Sequence, residues 1–178
     1  MNTPSLAVKS FNVIADTDAS LLILGSMPGI RSLEAQEYYA HPRNAFWDIM
    51  AQLFELEREA PYAQRLNQLK KENIALWDVA HQCVRPGSLD ANIDQQSVIP
   101  NDIPGLLAEC PQLKTLCFNG KAAEQLFKRH FKALYVDPSL NLICLPSTSP
   151  AHASLAFADK LEAWATIKSI TEKARSKL

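Results

Sequence analysis

The stretch Leu21–Trp47, LLILGSMPGIRSLEAQEYYAHPRNAFW, decides the fold. It opens on four consecutive apolar residues, Leu21–Leu24, which read as a strand buried on both faces. GSMPG follows, with Gly25, Pro28 and Gly29 marking a turn. The periodicity then changes. Phe46, Ile49, Met50, Leu53 and Phe54 recur at i, i+3, i+4, i+7 and i+8, the spacing of an amphipathic helix. A buried strand, a Gly/Pro turn and a helix is how α/β proteins present chemistry at the carboxyl edge of a sheet. Between turn and helix lie two tyrosines, a histidine, an arginine and an asparagine, so an active site is expected here.

The flanking sequence repeats the theme. Val8, Phe11, Val13 and Ile14 suggest an edge strand or packed arm. Pro61 opens a second helix, with Lys70 and Lys71 near its C-terminal end, where cations suit the helix dipole. Ile74–Trp77 is a second buried run ending at Asp78. His81–Asp102 lacks clear periodicity, and structureless stretches of that length are commonly functional. Ile103, Leu106 and Leu107 indicate a short helix. Leu113–Phe118 reads as a third strand stopping at Asn119-Gly120, and Ala122–Phe131 as a helix. Leu140–Leu145 is the fourth strand, followed by PSTSPAHAS, and Leu161, Trp164, Ile167 and Ile170 belong to a closing helix. Apolar strands separated by helical crossovers predict a three-layer α/β/α sandwich around a parallel sheet of about four strands. Residues 1–178 are expected to form a single domain.

Composition narrows the class. Of 178 residues, 47% are hydrophobic and 21% charged, ordinary globular values. No apolar run approaches the roughly 20 residues of a membrane helix. The N-terminus lacks a basic segment followed by a long apolar core, so a soluble cytoplasmic protein is expected. Cys83, Cys110, Cys117 and Cys144 form no CxxC pair, which points to reduced thiols and argues against a metal site or other cofactor. The net charge of −1 excludes a general attraction to nucleic acid, yet residues 114–178 carry ten Lys/Arg against five Asp/Glu. Such asymmetry permits a basic face, or simply a solvated C-terminal helix.

In a parallel sheet the loops that follow the strands share one edge. They are GSMPG with HPRN, Asp78, Asn119-Gly120-Lys121, and PSTSPAH. Read from residue types alone, Ser26 with His41 or His152 and Asp78 suggests a small-molecule ester hydrolase, although the GxSxG elbow is missing. Asn44 reads as a helix N-cap, Tyr39 as core, Asp78 as a cap and His152 as a solvated loop residue. Lys121, beside a helix N-terminus, and Arg43 and Arg31 suit an anion. No GxGxxG supports a dinucleotide site.

The GSMPG turn, YYAHPRNAFW, FNGKAA after the third strand and PSTSPAHAS after the fourth resemble the uracil-DNA glycosylase superfamily. They are most like its DNA-deoxyinosine (hypoxanthine-DNA) glycosylase branch. The resemblance implies hydrolysis of the N-glycosidic bond of a deaminated base flipped out of DNA, with hypoxanthine favoured over uracil and no covalent intermediate. It implies that Asn44 orients the attacking water and that His152 stabilises the leaving base or touches phosphate. It places Tyr39 as the stacking face, with Asp78, Met27 and Ser26 around the base. Ser147, Ser149, Arg43 and Lys121 are implied to hold DNA. Met27 stands where other branches carry Asp or Asn, which shifts the chemistry to Asn44. The resemblance further implies a monomer, nucleoid-associated during repair, and the cysteine spacing disfavours the superfamily's iron–sulfur branches, so no iron–sulfur cluster is expected. A catalytically inert damaged-DNA-binding module is the alternative on the same fold.

Overall fold

The computed structural model describes residues 6–178. Four parallel strands form the central sheet: β2 (Leu21–Gly25), β3 (Ile74–Asp78), β6 (Thr115–Asn119) and β7 (Asn141–Leu145), in the order β3-β2-β6-β7. Side chains alternate across such a sheet. Leu22, Leu24, Ala75, Leu116 and Phe118 enter one apolar layer, and Leu21, Ile23, Ile74, Leu76 and Cys117 enter the other. The first layer is closed by α4 (Ile103–Glu109) and α5 (Lys121–His130) through Ile103, Leu106, Leu126 and Phe127. The second is closed by α2 (Phe46–Phe54), α3 (Tyr62–Lys71), α7 (Phe157–Trp164) and α8 (Thr166–Arg175). Phe46, Ile49, Met50, Leu53 and Phe54, the residues that announce a helix by spacing, are buried in α2, and Trp47 is buried with them. The expected three-layer sandwich on a four-stranded parallel sheet is the observed one.

The structure departs from expectation between Ala80 and Pro100. A second, antiparallel sheet of order β1-β4-β5 forms from Ala7–Lys9, Ala80–Val84 and Ile99–Pro100. Only Ala80 and Cys83 of β4 are buried, so no alternating apolar pattern betrays it. The N-terminal segment serves both sheets. After β1 it runs beside β3, where Ile14 and Leu76 exchange backbone hydrogen bonds of 2.9 and 2.8 Å. It thereby covers an edge that would otherwise invite pairing with another chain. The closing helix is two helices, interrupted at Ala165. The short helices α1 (Ile30–Ala35) and α6 (Lys132–Tyr135) also lack a periodic signature.

The chain leaves β2 toward the α2 layer and leaves β6 into α5 on the opposite face. Neighbouring strands whose connections diverge in this way open a crevice at their carboxyl ends. Gly25 and Asn119 stand at that crevice.

Candidate active site

A cavity of about 750 Å³ opens there, within the range of small-ligand sites. All four post-strand loops line it. Backbone hydrogen bonds from Val79 N to Gly25 O (2.8 Å) and from Ala80 N to Ser26 O (3.1 Å) bind the chain after β3 to the GSMPG turn. Asp78 and Ser26 are thus neighbours. Gly25 leaves room for the carboxyl: a Cβ there would lie 2.5 Å from Asp78 Oδ1, so the side chain would have to shift.

Arg85 fixes the turn itself. Its guanidinium, 3% exposed, donates from Nη1 to Met27 O (3.3 Å), from Nη2 to Pro28 O (2.5 Å) and from Nε to Gly87 O (2.9 Å). Met27 belongs to the same core cluster as Val79 and Leu24 and lines the cavity with little of its surface exposed. It brings no polar side-chain group to the turn.

Tyr39 is held in the left-handed region, φ 56°, a sparsely populated conformation for a bulky residue. The preceding residue explains how. Tyr38 N–H donates to Tyr62 Oη (2.9 Å), and Tyr38 O accepts from Trp47 Nε1 (2.9 Å). Arg65 lies over the Trp47 ring at 4.5 Å, reinforcing that pedestal. The Tyr39 ring stacks on Phe46 with centroids 4.1 Å apart. Its hydroxyl is buried and makes no hydrogen bond of full geometry, although the Asn119 side chain lies close enough to favour its ionised form slightly.

Asp78, 3% exposed, ends β3 beside that hydroxyl, and its Oδ2 is also buried without a partner. Burial pushes its carboxyl up to about 7, with Asp90 adding to the rise and Arg85 opposing it. Near neutral pH both protonation states are therefore populated, so the carboxyl can donate a hydrogen bond as well as accept one. Two unpaired polar atoms on residues that line one cavity are unusual, since buried polar groups are ordinarily satisfied.

Asn44 sits at the entrance to α2. Its Oδ1 accepts the Phe46 N–H at 2.9 Å while Ala45 occupies the N-cap position. The cap-like bond is real, but it uses one lone pair, and the side chain still lines the cavity. The next residue ties in the fourth loop: Ala45 N donates to Thr148 O (3.0 Å). Asn119, at the end of β6, grips Thr148 through both ends of its carboxamide. That clamp is invisible in sequence, as is the role of Thr148, which is 1% exposed.

The structure brings together Asn44, Tyr39, Asp78, Met27, Ser26, Arg43, Ser147 and Ser149 around the cavity, with Arg31 and His41 also lining it. It does not bring His152 or Lys121 there. His152 lies outside the lining residues, its carbonyl accepting from Lys160 Nζ at 2.8 Å. Lys121 is exposed at the start of α5, and the Asn119 amide beside it is occupied by Thr148. Ser147 and Ser149 use their hydroxyls within the loop, accepting from Ser149 N and Ala151 N. Ser26 donates to Asp90 Oδ1 at 2.5 Å. The triad reading needs a histidine base for Ser26, and among the described residues no histidine is hydrogen-bonded to it. Asp90, Arg85 and Ser88, whose Oγ accepts from Ile30 N, come from the RPGSLDANI segment, for which length without periodicity was the only signal.

Comparison with known proteins decides the family. The model of the uracil DNA glycosylase superfamily matches residues 11–168. The chain belongs to that superfamily. A protein of Methanosarcina acetivorans named hypoxanthine DNA glycosylase is 33% identical over 145 residues, spanning 81% of this chain and 87% of the relative. One of the same name from Methanosarcina barkeri is 35% identical over 114 residues, 64% of this chain and 71% of the relative. A solution NMR structure from Methanosarcina acetivorans, of a protein assigned as a candidate uracil DNA glycosylase, superimposes with a TM-score of 0.79. It is 28% identical and covers 94% of this chain and 99% of its own. Among the described residues no cluster of three or more His, Cys, Asp or Glu could hold a metal. No helix there is long and apolar enough to cross a membrane.

Proposed function

We propose that this superfamily member is a monofunctional DNA glycosylase that hydrolyses the N-glycosidic bond of deoxyinosine, releasing hypoxanthine. The observation that carries the reading is the cavity floor, where the Tyr39 hydroxyl and Asp78 Oδ2 lie buried and unpaired beside a stacked aromatic. A flat heterocycle with polar edges satisfies both and stacks on the tyrosine ring. The names of the two Methanosarcina relatives favour hypoxanthine among deaminated bases.

In this mechanism Asn44 holds the attacking water through the second lone pair of Oδ1 or through Nδ2. Placement of the water and stabilisation of an oxocarbenium-like sugar supply most of the acceleration, without a protein nucleophile. Arg31 and Arg43 on the cavity wall, with the backbone of the Ser147–Ser149 loop, take the phosphates flanking the flipped nucleotide. The test is excision from duplexes carrying one deoxyinosine, uracil or xanthine, followed by alkaline cleavage of abasic sites. Scission at deoxyinosine in preference to the others is expected. Binding without scission would instead favour a damage-sensing module.

A further inference from the structure

The sheet ends in the carboxyl group of Asp78, whose Oδ2 no hydrogen bond holds and which no ion pair neutralises among the described residues. Its nearest cation, Arg85, has its donors turned to the carbonyls of Met27, Pro28 and Gly87. The other groups around it are the phenols of Tyr38, Tyr39 and Tyr62 and a second acid, Asp90, held by Ser26. The Asn119 amide, which could donate to a carboxylate, is occupied by Thr148. Asn101 Nδ2 fixes the backbone by donating to Asp78 O at 2.8 Å. Oδ2 is left buried and unpartnered on a residue that lines the cavity.

We propose that Asp78 is the proton donor to the departing purine, delivering its carboxyl proton to N7 of hypoxanthine as the C1′–N9 bond breaks. The proposal rests on the glycosylase reading above and assigns the leaving-group half of that reaction. The electron pair of the broken bond leaves with N9, the proton lands on N7 of the same ring, and hypoxanthine departs neutral. Water adds through its oxygen to C1′ and sheds one proton to solvent. Asp78, now a carboxylate, recovers a proton from solvent after the base has gone. A purine offers N7, a basic ring nitrogen conjugated with the leaving nitrogen, whereas uracil offers only weakly basic carbonyl oxygens. The donor thus favours purines without reading the exocyclic edge. A carboxyl poised near 7 matches the requirement for a general acid at neutral pH.

The test is single-turnover excision from pH 5.5 to 8.5 on duplexes carrying deoxyinosine, 7-deaza-2′-deoxyinosine or deoxyuridine, with the wild type and Asp78→Asn. Deoxyinosine excision by the wild type is expected to fall toward tenfold per pH unit above about 7. Asp78→Asn is expected to be at least about 100-fold slower at pH 6 and to lose that slope. The 7-deaza duplex should bind the wild type and resist excision. Because the pH profile and the 7-deaza substrate use unaltered protein, they stand even if Asp78→Asn folds poorly. Flat wild-type excision across pH 7, a slope retained in Asp78→Asn, or rapid release of 7-deazahypoxanthine each overturns the proton-donor role while leaving the glycosylase intact. A wild type that leaves deoxyinosine untouched at every pH overturns the glycosylase reading, and the donor role with it.

Discussion

Asn119 holds Thr148 twice, its Nδ2 donating to Thr148 Oγ1 and its Oδ1 accepting from Thr148 N, both at 2.9 Å. Because Thr148 O accepts from Ala45 N, this pair joins the end of β6 to the start of α2 across the cavity. Gly120, at φ 94°, lets the same loop close in, since a Cβ there would meet Ser147 Cβ at 2.9 Å.

Asn119→Ala removes both bonds and strands the buried Thr148 N–H. A loss of about 2 kcal/mol in urea unfolding is expected, from typical hydrogen-bond contributions. Excision should slow by more than tenfold, since Asn44 and the phosphate-facing loop lose their common anchor. Parallel unfolding and single-turnover assays on one preparation check both.

Gly25→Ala places a methyl group against the Asp78 carboxyl, with the Tyr39 hydroxyl 3.4 Å away. Overpacking of this kind costs about 1–3 kcal/mol. Excision should nevertheless fall far more than stability does, because the displaced group lies at the cavity floor. Gly29→Ala is the control, since its Cβ meets only Ser88 at ordinary contact distance. A Gly29→Ala variant should keep nearly full activity.

Arg85→Met is expected to destabilise by about 3 kcal/mol, because the carbonyls of Met27 and Pro28 lose charge-assisted donors inside the protein. A urea midpoint shift at unchanged m-value is the measurement. Arg85→Lys should recover only part of the loss, as one ammonium cannot reproduce the guanidinium fork.

Asp78 makes stability depend on pH. The folded protein keeps its proton up to about pH 7, whereas the unfolded chain releases it near 3.8. The stability it contributes is complete below about pH 4, declines as pH rises, and is lost above about pH 7. At about 1.4 kcal/mol per pH unit, the difference between Asp78→Asn and wild type should shift by up to about 4 kcal/mol in favour of the variant between pH 4 and pH 8. Urea unfolding at the two pH values reads that shift directly.

The sheet and the large helices were legible because burial writes itself into periodicity. Leu21–Leu24 and Ile74–Trp77 are continuous apolar runs, and α2 shows its buried face by spacing alone. Convergence of the post-strand loops followed from topology. What escaped notice depends on hydrogen bonds between residues distant in sequence, as with Asn119 and Thr148 or Arg85 and the GSMPG carbonyls. Polar residues carry no period from which a partner can be inferred. β4 escaped for a related reason, because its small sheet has few buried positions. The protonation of Asp78 could not be read from sequence, since it follows from burial that only the assembled loops create.

The competing demands on Asn44 allow the most direct test of the glycosylase reading. Its Oδ1 receives the Phe46 N–H, so Asn44→Asp preserves an acceptor for the helix while Asn44→Ala removes it. Single-turnover excision of hypoxanthine from a deoxyinosine duplex, measured beside duplex affinity and thermal stability, separates helix capping from catalysis. The wild type should release hypoxanthine, and Asn44→Ala should lose at least about 100-fold in rate with affinity nearly unchanged and stability lowered by only about 1 kcal/mol. Wild-type excision that persists undiminished in Asn44→Ala would contradict the catalytic assignment, and a wild type that releases no base would contradict the function itself.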